Sequence, residues 1–77
     1  MMCNSLPAEK VAGLVLRRLI LENYKTQEDF SYDFGADLRT VNRYINQGIN
    51  KLTTIQELAM FFKVEWRLFF DAEYAED

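Results

Sequence analysis

The chain has 77 residues, a formal net charge of −3, 49% hydrophobic residues, one cysteine and no histidine. That length makes a single domain near the lower limit at which a core supports itself. A lone thiol, Cys3, excludes an internal disulfide and a cysteine-built zinc site. No apolar run reaches the ~20 residues of a bilayer span, and residues 1–10 lack the ordered regions of a signal peptide, so a cytoplasmic location is expected.

In chain order, "LPAEKVAGLVLRRLILEN" predicts a first helix opened by Pro7, with Val11, Val15 or Leu16, and Leu19 recurring at helical spacing as its buried face. Gly13 sits inside that helix, at about 1 kcal/mol relative to alanine, and is read as either close packing or a tolerated weakness. Thr26 predicts the cap of a second helix, with Asp29 three positions on in a weak capping box and Phe30 and Phe34 on one face. Gly35 ends it, because glycine accepts the left-handed conformation of a C-terminal cap. Asp37 is expected to cap a third helix over 37–46, "LRTVNRYIN", whose inner stripe is Val41, Tyr44 and Ile45. A loop follows around Gly48. Thr53 or Thr54 is expected to open a fourth helix carrying Ile55, Leu58, Ala59 and Phe62, and "VEWRLFF" reads as a short fifth helix. With five helices and no strand signal, the chain is expected to be all-α, with a core over about 7–70.

The acidity is unevenly placed. Residues 71–77, "DAEYAED", hold four acids and no base, and are read as a solvated tail. Between residues 36 and 54, Arg39, Arg43 and Lys51 face Asp37 alone. The global charge therefore misstates the middle of the chain, where a basic segment stands ready for an anionic partner.

The ordered set Thr26-Gln27-Glu28-Asp29-Phe30, Phe34-Gly35, Val41 and Arg43-Tyr44 resembles the phage repressor and Cro family, the Xre-type helix-turn-helix proteins. Leu16-Arg17-Arg18-Leu19 upstream, and Ile55, Leu58, Ala59, Val64, Trp66, Phe69 and Phe70 downstream, extend the similarity over about residues 11–70. The resemblance implies a compact five-helix, lambda-repressor-like DNA-binding domain. It also implies a transcriptional regulator binding a pseudo-palindromic operator in double-stranded DNA as a homodimer. Two departures concern packing and phosphate contact: the loop "NQGINKL" is about one residue short and lacks the common proline, and Ile20 and Ile45 stand where many members keep a buried ion pair. Replacing both charges with packed apolar groups is physically sensible, and the two isoleucines are expected to touch.

A recognition helix meets base edges with its outward N-terminal residues. With Val41, Tyr44 and Ile45 inward, the base-reading set is Leu38, Arg39, Asn42 and Arg43. Arginine matches guanine O6 and N7, asparagine pairs with adenine, and leucine touches the thymine methyl. Gln27, at a helix N-terminus that favours anions, and Thr40, Asn46, Gln47, Asn50 and Lys51 are expected on phosphates, where contacts set affinity and register. The apolar surplus (Leu14, Ile20, Leu21, Phe61, Trp66, Leu68) predicts association, with Phe61, Trp66, Leu68 and Phe70 as the dimer interface.

An enzyme is not expected: the chain has no histidine, nucleophile motif or glycine-rich phosphate loop. No cofactor, metal, membrane contact or small-molecule ligand is read from it. The alternative reading is a protein-interaction module on a helix-turn-helix frame, an antirepressor or one partner of a toxin–antitoxin or regulatory complex. Salt separates the two, since DNA binding falls steeply with counterion release.

Overall fold

The computed structural model describes residues 7–76. Five α-helices and one 3-10 helix make up its regular structure, with no strand among the described residues: α1 Ala8–Asn23, α2 Gln27–Phe34, α3 Leu38–Gln47, α4 Leu52–Phe62, the 3-10 helix Trp66–Phe70, and α5 Ala72–Glu76. The radius of gyration, 11.7 Å, matches the ~11.5 Å expected of a compact domain this long.

α1 is the central element. Val11, Ala12, Val15, Leu16, Leu19 and Ile20 are buried on it, and it packs on α3, the 3-10 helix and α5. Pro7 occupies the N-cap rather than the first helical turn, its carbonyl accepting from the Lys10 and Val11 amides. Phe30, fully buried, anchors α2. It stacks on Phe34 and Phe62 at centroid separations of 5.3 and 5.4 Å and meets Tyr24 and Phe61 edge-on. Such aromatic pairs contribute about 0.5–1.5 kcal/mol each beyond area burial. Ile20 and Ile45 both belong to the buried cluster that also holds Val41, Ile55, Leu58 and Phe69. Both positions are thus apolar and buried in one cluster.

Four sequence expectations change. Asp37 stands at the N-cap of α3, but its side chain makes no capping bond. The fourth helix begins at Leu52 with Lys51 as N-cap, ahead of both threonines, and again no side chain caps it. Most of all, residues 72–76 of the acidic segment form a helix docked on the core, with the Asp71 and Glu73 side chains still exposed; Asp77 lies outside the described residues. Asp71 Oδ1 accepts from the amides of Glu73 and Tyr74, and Ala72, Tyr74 and Ala75 pack against the core. Within "VEWRLFF", Trp66–Phe70 form the 3-10 helix, and the fifth α-helix follows it.

Candidate nucleic-acid interface

The turn between α2 and α3 is built locally. Thr26 Oγ1 accepts from the Asp29 amide, 3.1 Å, and fixes the start of α2. Gly35 ends α2 at φ +87°. The Ser31 hydroxyl, buried beside Phe30, donates to the Glu28 carbonyl, so its polarity is satisfied within the helix. After Ala36 and Asp37 the chain turns into α3.

α3 separates its faces sharply. Val41 and Ile45 are buried and Tyr44 is half-buried, while Leu38, Arg39, Asn42, Arg43, Asn46 and Gln47 are exposed. Four of these, Leu38, Arg39, Asn42 and Arg43, form one outward group over the first two turns, as the 3.6-residue period dictates. Thr40 is half-buried at the margin, and Gln27 is half-buried at the N-terminus of α2.

The side chains of Arg39, Arg43 and Lys51 form no ion pair or hydrogen bond among the described residues. Their charge faces solvent uncompensated. The Asp37 carboxylate is exposed at the start of the same helix; its charge, expected to be spent on helix amides, is instead left free. It favours the helix dipole there but opposes an approaching phosphate.

Past the C-terminus of α3, Arg43, Gln47, Asn50 and Lys51 line one recess of about 290 Å³, with Glu9 on its far side. One expected base contact and three expected phosphate contacts are therefore brought together. Gln27, Leu38, Arg39, Thr40, Asn42 and Asn46 lie outside it. Glu9 was not singled out in the sequence, and nothing in its local pattern would have done so.

Two glycines hold α3 in place, and the role of Gly48 escaped the sequence. Gly48, at φ +100°, lets its backbone meet α1: a Cβ there would overlap the Glu9 carbonyl, whose oxygen accepts from the Ile49 amide at 2.9 Å. Gly13 mirrors it from α1, where a Cβ would overlap the Tyr44 carbonyl oxygen and lie 3.2 Å from Gly48 Cα. Close packing, one of the two readings of Gly13, is the one observed. Lys10 adds a third tie, its Nζ donating to the Asn46 carbonyl at 3.0 Å. That carbonyl is among the last four of the helix, which have no intrahelical partner.

The apolar surplus divides. Ile20 is buried, and Phe61 and Leu68 are half-buried, Phe61 packing edge-on against Phe34 at 5.2 Å. Trp66 and Phe70 remain 43% and 40% exposed and meet edge-to-face at 5.8 Å. Trp66 also lines an open recess with Met60, Val64 and Arg67. No helix among the described residues is long and apolar enough to cross a membrane. No protein-family model, curated protein or solved structure matches this chain.

Proposed function

We propose that the protein binds double-stranded DNA sequence-specifically and regulates transcription, with α2 and α3 acting as a helix-turn-helix of the lambda-repressor-like type. The observation that carries this reading is the outward face of α3, where Arg39 and Arg43 stand unpaired beside Asn42 and Leu38 on a helix whose other face is locked into the core. A solvated helix face in an acidic protein has no need to keep two arginines out of every ion pair. Major-groove readout does, because a guanidinium already paired offers fewer donors to guanine.

In this reading Leu38, Arg39, Asn42 and Arg43 meet bases. Gln47, Asn50 and Lys51 grip a phosphate at the end of the helix, and Gln27 steadies the start. A homodimer joined through the exposed Trp66, Phe70 and Met60 would place two α3 helices in successive major grooves.

The test is selection of bound sequences from random DNA, followed by the Arg39→Ala/Arg43→Ala double variant on the selected duplex. Both side chains are exposed and unpaired, so folding is expected to survive. Loss of about 100-fold or more in affinity is expected, each arginine contributing about 1–3 kcal/mol. A folded double variant that binds as tightly as the parent would overturn the reading in favour of a protein-interaction module.

A further inference from the structure

A second groove between α1 and α3 is lined by Ile45 and Asn46 of α3, whereas the recess that holds Lys51 takes Arg43, Tyr44 and Gln47. Lys10, Leu14 and Arg17, spaced i, i+4 and i+7 on α1, line it with Ile45 and Asn46 of α3, around a volume of about 400 Å³. Its floor is apolar, from Leu14 and Ile45, and its charged groups are two cations with no carboxylate. The Lys51 recess differs, being flanked by Glu9.

The two cations are differently engaged. Lys10 gives one N–H to the Asn46 carbonyl, which leaves two donors on the ammonium. Arg17 is exposed and has no ion pair or hydrogen bond among the described residues. Its neighbour Arg18 turns to the other side of α1, where it meets Glu22 and Tyr74.

We infer that this groove is a phosphate site for the DNA backbone, with Arg17 as its principal ligand and Lys10 as a supporting charge. The inference rests on α3 lying in the major groove. That groove is about 12 Å wide and bordered by two sugar–phosphate strands, while a helix with its side chains is about 10–12 Å across. A helix seated there has a backbone close on each flank. The Arg43–Lys51 recess serves one flank, and the Lys10–Arg17 groove, which shares Asn46 with the margin of the reading face, serves the other. Arginine suits the task because its planar fork meets two phosphate oxygens at once, and the apolar floor strengthens the attraction by keeping water from one side. Gripping both strands fixes the roll of α3 in the groove, which contact on one flank leaves free.

Salt titrations of binding to a random-sequence duplex and to a duplex selected from random DNA test this, with Arg17→Ala, Arg17→Gln and Arg17→Lys compared with the parent. Arg17→Ala and Arg17→Gln are expected to weaken both duplexes by a similar factor, roughly 5–10-fold, and to flatten the plot of log affinity against log salt by about one. Arg17→Lys is expected to keep the slope. If Arg17→Ala and Arg17→Gln stay folded and keep the parental slope and affinity while Arg39→Ala loses selectivity, the groove is no phosphate site and the major-groove reading stands alone. If the parent binds neither duplex at low salt, the reading itself fails and this inference falls with it.

Discussion

Arg18 and Arg43 stand on two helices that pack together, in opposite circumstances. Arg18 is drawn inward: its Nε pairs with Glu22 at 3.0 Å, one terminal nitrogen donates to the Tyr74 carbonyl at 2.8 Å, and the guanidinium lies 4.1 Å from the centre of the Tyr74 ring. The Tyr74 hydroxyl closes the circuit by donating to Glu22 at 2.9 Å. Arg43, like Arg39, has no such partners. The contrast shows how a small acidic chain divides its few cations, spending one to hold its C-terminal helix and withholding others from every internal acid.

The comparison predicts effects of opposite kind. Arg39→Ala should cost about 1–3 kcal/mol in binding to the preferred duplex and change thermal stability by no more than about 0.5 kcal/mol, as exposed substitutions do. Paired binding and unfolding measurements check this, and a large stability loss would place Arg39 among structural residues. Arg18→Ala should do the reverse. Losing a charged hydrogen bond and a stacked ring should lower stability by about 1–2 kcal/mol and speed hydrogen exchange of the α5 amides, with affinity for a duplex selected from random DNA almost unchanged.

The latch also has a pH window. The Tyr74 hydroxyl, and secondarily Arg18, hold the Glu22 carboxyl below its ordinary value of 4.5. Burial, and secondarily the Glu22 bond, push the Tyr74 phenol above its ordinary 10.0. A lowered carboxylate stabilises the fold above its unfolded value and loses that contribution as pH falls through the folded one; a raised phenol stabilises below its unfolded value and loses it as pH rises through the folded one. α5 should therefore be held best between the two ordinary values, 4.5 and 10.0, and loosen below the first and above the second. Tyr24, whose phenol donates to Asp33 and is raised mainly by burial, also titrates at the alkaline end, so Tyr74→Phe should remove only the α5 part of the change. Amide exchange in α5 across pH measures it. The smallest expected effect is that of Lys51→Ala, which should weaken all duplexes alike and reduce the salt slope by about one.

Much of the frame was legible because local chemistry dictates it. Thr26 caps, Gly35 terminates, and the Val41 and Ile45 stripe turns inward, each by a rule that needs only near neighbours. Asp37 and the two threonines show where such rules stop: several residues can cap a helix, and the backbone chose without using their side chains. The C-terminal helix was hidden by composition. Its acids read as solvated, while what holds it, Arg18 and Glu22, stands more than fifty residues away. The outward set of α3 followed from period alone, but Lys10, Arg17 and Glu9 reach the site only through the packing of α1 on α3. Local pattern does not encode that juxtaposition.

The glycine contact between α1 and α3 has a consequence for reprogramming. Gly13 and Gly48 bring main chain against main chain, so at that point the approach of α3 is set by backbone contact. Residues 38, 39, 42 and 43 can then be varied together as an alphabet on a fixed carrier. On the proposed DNA-reading function, a library randomised at those four positions should yield members with altered base preference on the parental frame, whereas a library that touches either glycine would change the carrier itself.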